Sequence, residues 1–185
     1  MTTDETLVLR YRDGDASAFE ELYERYVRRI YDYVYYKTHQ KQLTEDIVSQ
    51  TFLQALEKIS AFRSQKGVFS AWLHRIARNL VIDHYRAQHP TKDIEDVWDL
   101  SSDDDVVADT DTRLKIESVR AVLAKLKPAQ REVVLLRLWN GYAFKEIAAM
   151  LGTTEGACKM NYKRALHTVR SELLVLLFLS LLSHS

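Results

Sequence analysis

Between residues 87 and 112 the chain carries nine acids against a single lysine, a net charge of −8, with almost no helical periodicity and one of only two prolines, Pro90. Such a run repels itself and stays solvated, so it offers no face from which a core can be built. The 185-residue chain is thereby divided into two flanks, each of which must bury its own apolar surface. The flanks have the means, since the chain is 46% hydrophobic. Five glycines are too few for a meander of short strands and tight turns. The expected fold class is all-α: two small helical domains joined by an acidic linker.

The zero net charge of the whole chain hides a partition. Residues 113–185 hold twelve basic groups against five acids, and residues 58–86 hold six against Asp83 alone. Residues 1–57 are acidic on balance, at −4. The basic stretches suit a polyanion, and the acidic beginning suits a different kind of partner.

Helical spacing is plain on both flanks. Phe19, Leu22, Tyr23, Tyr26, Val27, Ile30, Tyr31 and Val34 recur at i, i+3, i+4 and i+7, which predicts a helix over 18–37, with Asp13-Gly14-Asp15 as the break before it. A second helix is expected over 44–60, capped by Thr44 and burying Ile47, Val48, Phe52, Leu53, Leu56 and Ile59. A third is expected over 69–86, burying Trp72, Leu73, Ile76, Ala77, Leu80 and Val81. Its opposite face would show His74, Arg75, Arg78, Asn79, Asp83 and Arg86, a set suited to phosphate positioning with an amide for a base.

In the second flank a helix over 113–126 is expected to precede Lys127-Pro128, a helix start, and Asn140-Gly141 would stop the next helix. A short helix over 144–151, a turn at Gly152-Thr153 and a helix from Glu155, capped by Thr154, form a helix-turn-helix signature. Cys158, Tyr162, Ala165 and Val169 would face inward. Lys159, Met160, Lys163, Arg164, His167 and Arg170 would face out, a charge face fit for a major groove.

Other chemistry finds no support. A lone cysteine excludes a disulfide framework, and the six histidines form no i, i+4 ligand pair, so neither metal nor cofactor is expected. No nucleophile–base set or glycine-rich phosphate loop is present, so the chain is not expected to be an enzyme. The N-terminus lacks a secretory signal. The apolar run 173–182 is about 15 Å as a helix, half a bilayer core, which leaves the cytoplasm as the expected compartment.

Three segments of the first flank, GDASAFEELYERYVRRIYDYV, EDIVSQTFLQAL and FSAWLHRIARNLVIDHYR, resemble region 2 of bacterial RNA polymerase sigma factors of the extracytoplasmic-function (ECF) group. The stretch LAKLKPAQREVVLLRLWNGYAFKEIAAMLGTTEGACKMNYKRAL resembles their region 4. The resemblance covers about four-fifths of the chain, in the family's order. It implies region 2 over 1–88, for polymerase binding and for recognition and melting of the minus-ten element. It implies a linker over 89–112, running toward the RNA exit path, and region 4 over 113–172 for the minus-thirty-five element. Residues 173–185 form an apolar tail with no assigned role.

The implied partners are core RNA polymerase, through its clamp helices and flap, and promoter DNA, both duplex and melted. An anti-sigma factor is a further candidate, and membrane contact would come through such a regulator or through the tail. The implied minus-ten set is Lys66, Arg75, Arg78, Asn79, Asp83 and Arg86, with Asn79 at the base-contacting position. The implied minus-thirty-five set is Thr154, Lys159, Met160, Lys163, Arg164 and His167. Polymerase binding would fall to Asp46, Ser49 and Gln50, where Ser49-Gln50 replaces the family's usual glutamine-then-acid pair. A rival reading is a regulator that binds duplex DNA alone and uses its first domain for sensing or dimerisation.

Overall fold

The computed structural model describes residues 2–62, 68–88 and 121–182, and no strand occurs among them. Lys66, the linker 89–112, residues 113–120 of the helix expected over 113–126, and residues 183–185 lie outside the described residues. Helix α1, Asp4–Arg12, starts at Thr3, whose hydroxyl accepts from the Thr6 amide. The Asp13-Gly14-Asp15 break holds: Gly14 takes φ 97°, and the Asp15 carboxylate caps α2, Ala16–Thr38, by accepting from Ser17 N at 3.1 Å.

Helix α3 spans Lys41–Lys58 and α4 spans Phe69–Gln88. The start of α3 differs from expectation. Gln40 precedes the first turn, and Thr44 lies inside the helix, fully buried, donating to Gln40 O at 2.8 Å and sharing a hydrogen bond with Thr38 Oγ1. A threonine that bonds back to its own helix and to the preceding one pins the α2–α3 corner, which a sequence pattern cannot tell from a cap. Leu22, Tyr26 and Ile30 of α2, Ile47 and Phe52 of α3, and Leu73, Ala77 and Val81 of α4 meet in one core.

In the second half α5, Pro128–Val134, begins at its proline and widens into a π-helical turn, Leu135–Trp139. Gly141 (φ 70°) turns the chain toward α6, Phe144–Leu151, and Gly152 (φ 65°) turns it again. Helix α7 runs Glu155–Leu182, with the Thr154 hydroxyl accepting from Ala157 N at 3.1 Å. Helix α7 therefore continues without a break through the segment that the sequence marks off as a tail.

The halves are not merely tethered. Helix α4 packs against α6, and α2 meets the π-helical turn. Val133, Leu136, Tyr142 and Ile147 enter the same buried cluster as Leu22 and Leu73. Asn140 Nδ2 donates to Arg29 O at 2.8 Å. Ser70 Oγ donates to one oxygen of Glu146 at 3.1 Å, while the other oxygen caps α6 by accepting from Ala143 N at 2.9 Å.

Candidate nucleic-acid interface

One face of α4 is dictated by its period. Leu73, Ala77 and Val81 go inward, so Arg75, Asn79, Asp83 and Arg86 come out together, all exposed. Arg78 is half-buried at the edge of this stripe. His74 is the correction: it is fully buried, not displayed. On a helix of 3.6 residues per turn it lies about 100° from Arg75, on the side that the second half covers. Its ring packs 4.0 Å from that of Tyr33 and 6.1 Å from that of Tyr142. Neither ring nitrogen has a hydrogen-bond partner among the described residues.

The start of α7 behaves as its sequence requires. Cys158 and Ala165 are fully buried, with Tyr162 partly so, its ring 5.4 Å edge-on to Phe144. Thr154, Lys159, Met160, Lys163, Arg164 and His167 are all exposed. Lys159 is held by Glu155 one turn earlier, at 2.6 Å, whereas no ion pair is recorded for Lys163 or Arg164 among the described residues. Burial pushes the Cys158 thiol up, which suits a small core residue and not a nucleophile.

Asp46, Ser49 and Gln50 form an exposed patch on α3. Sequence reasoning missed what lies beside it. Leu53 is 57% exposed and, with Tyr23 and Leu56, lines an open groove of about 490 Å³ between α2 and α3, floored by Val27 and Phe52. Leu53 and Leu56 read as core positions in the helical pattern. Only the placement of α2 against α3 shows that they face out, one and two turns on from Ser49.

Between the halves sits a buried charge cluster. The Glu132 carboxylate of α5 accepts from the Lys37 ammonium and, at 2.9 Å, from the Tyr33 hydroxyl of α2. Burial works against the Glu132 charge, but Lys37, His74 and the Tyr33 hydroxyl hold the carboxyl below its usual range. Burial brings Lys37 down to about 8 against the pull of Glu132, so the ammonium persists at neutral pH. Burial and the Glu132 charge keep the Tyr33 phenol protonated. Among the described residues no group of three or more His, Cys, Asp or Glu side chains is placed to hold a metal ion, and no helix is long and apolar enough to cross a membrane.

His74 makes this contact pH-sensitive. Burial brings its pKa from 6.5 down to about 4, with Glu132 pulling up and Lys37 and Arg78 pushing down. A histidine kept neutral by burial stabilises the packed form above about pH 6.5, and that stability is lost as the pH falls toward 4; the full shift is worth about 3 kcal/mol. Glu132 acts in the same direction at lower pH. The melting temperature is expected to fall between pH 7 and 4.5, and His74→Phe to flatten that slope. An equal slope in the variant removes His74 as the cause.

Comparison with known proteins adds the following. Residues 22–91 match the family model for sigma-70 region 2, and residues 116–169 match that for sigma-70 region 4. The chain is 37% identical over 170 residues to the ECF RNA polymerase sigma factor BldN of Streptomyces coelicolor, covering 88% of this chain and 63% of BldN. It is 32% identical over 163 residues to the RNA polymerase sigma factor CarQ of Myxococcus xanthus, covering 87% of this chain and 92% of CarQ. Among solved structures, CnrH in complex with the cytosolic domain of CnrY matches with a TM-score of 0.70 at 24% identity, covering 93% of this chain and 97% of that one. The sigma factor RpoE bound to the anti-sigma factor NepR from Bartonella quintana matches at 0.63 and 22%, covering 85% and 97%. At these identities the two structures speak for the fold alone.

Proposed function

This chain belongs to the ECF group of bacterial RNA polymerase sigma factors, and from that membership we propose how its surfaces share the work of promoter-specific transcription initiation. It binds core RNA polymerase and carries it to promoters, contributing recognition and no covalent chemistry of its own. Region 2, residues 1–88, takes the clamp helices on α3, through Asp46, Ser49, Gln50 and the adjoining Leu53–Leu56 groove, and reads the melted minus-ten strand with α4. Region 4, residues 113–172, lays the start of α7 in the major groove of the minus-thirty-five element. The acidic stretch 89–112 is the tether, and the work is done beside the polymerase in the cytoplasm.

The observation that carries this reading is the pair of exposed faces. Arg75, Asn79 and Arg86 line up on α4, and Lys163 and Arg164 stand exposed on α7 with no ion pair among the described residues, each within its own family region. Guanidinium groups and lysines position phosphates, while an amide or a bidentate guanidinium reads a base. A duplex-only regulator has no use for the first face.

The two faces cannot serve one promoter in the closed arrangement. Helix α6 lies between α4 and α7, so two packing steps of about 10 Å separate them. Elements about 25 base pairs apart lie roughly 85 Å apart on straight duplex, at about 3.4 Å per step. The halves must part when both elements are held, and a flexible tether then gives each half a high effective concentration at its own element.

In vitro transcription with core polymerase on a random promoter library tests the whole reading and returns both elements; initiation that proceeds equally without the chain overturns it. Arg164→Ala is expected to cost about 1–3 kcal/mol of discrimination at one position of the upstream duplex if the contact is bidentate to a base. A loss uniform across sequences, with a shallower salt slope, assigns Arg164 to phosphate instead. Asn79→Ala is expected to erase preference for one base in the melted strand, and unchanged preference in a single-strand binding assay removes it from the site.

A further inference from the structure

Glu132 is seated as an anion among groups that have another use for one. Lys37 is 3% exposed and gives its ammonium to the carboxylate, Tyr33 gives its hydroxyl at 2.9 Å, and His74, fully buried, stands beside them with both ring nitrogens unpartnered among the described residues. The Arg78 guanidinium is close enough to bias the charges of Tyr33, Lys37 and His74. All four belong to the first half, on α2 and α4, whereas the anion comes from the second half, ninety-five residues along the chain from Lys37.

The position matters as much as the composition. By the helical period Arg78 lies between His74 and the exposed Arg75–Asn79 stripe, so this pocket borders the face proposed for the melted strand. When the halves part, Glu132 leaves with α5, and a cationic, hydroxyl-lined recess remains beside that face. A phosphodiester presents the same anionic oxygens that a carboxylate does, and ammonium and phenol donors serve both.

We propose that Lys37, Tyr33, His74 and Arg78 form a phosphate-binding site of the open form, in which a backbone phosphate of the melted promoter strand takes the place that Glu132 fills in the closed form. Glu132 is then a built-in competitor, and docking of the second half masks part of the strand-binding surface. This rests on the reading of α4 as the minus-ten reader. It also accounts for why an ion pair is buried where apolar residues would hold the halves together as well: both charges regain solvent or a new partner on opening.

The test uses the full chain with a fluorescent pool of random single-stranded 12-mers and a matching duplex pool, titrated with salt. Glu132→Gln is expected to bind the single strands several-fold more tightly than the unaltered chain. Adding Lys37→Met to it is expected to abolish the gain and to reduce the salt slope by about 0.7, the share of one phosphate contact on a single strand. Adding Tyr33→Phe, which removes one hydroxyl and leaves the ring packing, is expected to reverse part of the gain, so the proposal stays testable if the Lys37 variant folds poorly. Equal affinity and slope for Glu132→Gln with and without either second change overturns the site. An equal gain on the duplex pool overturns its assignment to the melted strand. Failure of Glu132→Gln to bind single strands at any salt, together with no initiation when it is added to core polymerase, overturns the reading of α4 itself.

Discussion

Lys37→Met is expected to weaken the packing of the two halves by about 3–5 kcal/mol, because it strands the Glu132 carboxylate in the seam without its cation. The loss exceeds what deleting one surface ion pair costs, since Lys37 is 3% exposed and the pair is out of water. Lys37→Met combined with Glu132→Leu is expected to recover that loss and to hold the halves together as firmly as the natural pair or more so, by up to about 4 kcal/mol. Hydrogen exchange of the α5 amides reads the difference directly, as protection lost in the single variant and regained in the double. Equal protection in all three chains shows that the pair does not hold the seam. The double variant also carries a functional consequence: a seam that no longer gains by solvating charges opens less readily, so initiation from promoters needing both elements should fall while duplex binding through α7 is kept.

The seam is also the part of the fold that the sequence concealed. Helices α2, α4, α6 and α7 are legible because each buries one stripe at a period of 3.6, and the stops at Gly14, Gly141 and Gly152 supply the positive φ that the turns need. Such patterns report that a face is buried, not what buries it. Tyr33 lies outside the apolar stripe read along α2 and Lys37 reads as its polar end, with nothing to mark either as a partner of Glu132. His74 sits beside arginines in sequence and so reads as part of a cationic display. Its burial depends on α6 packing over that side of α4, a contact between residues about seventy apart.

The candidate sites divide along the same line. The outward set on α7 could be read from its complement, since Cys158 and Ala165 going inward leave Lys159, Met160, Lys163, Arg164 and His167 nowhere else to go. The α4 set was legible for Arg75, Asn79, Asp83 and Arg86, and blurred at Arg78, which shares its charge with the seam. On α3 the polar residues of the patch proposed for polymerase stood out, but the apolar ones beside it did not. A leucine that faces a partner and a leucine that faces the core have the same letter and, on a helix packed on two sides, nearly the same spacing.

That ambiguity at Leu53 gives the second large expected effect: Leu53→Asp should reduce affinity for core polymerase by about 30-fold or more, the 2 kcal/mol or more typical of an apolar anchor at the centre of an interface. The side chain is 57% exposed in the free chain, so the change should leave folding within about 0.5 kcal/mol. On binding, the new carboxylate would be carried into a groove walled by Tyr23, Val27, Phe52 and Leu56, which offers it no cation among the lining residues. Asp46→Ala is the contrast, because an exposed charge beside an apolar groove chiefly steers encounter, and its loss should show mainly in the association rate and its salt dependence. Titrating labelled core polymerase with each variant separates the two, with binding of α7 to duplex DNA as the control for an intact fold. Undiminished polymerase affinity in Leu53→Asp would remove the groove from the interface and return the contact to Asp46, Ser49 and Gln50 alone, where Gln50 in place of an acid leaves little charge to hold a clamp.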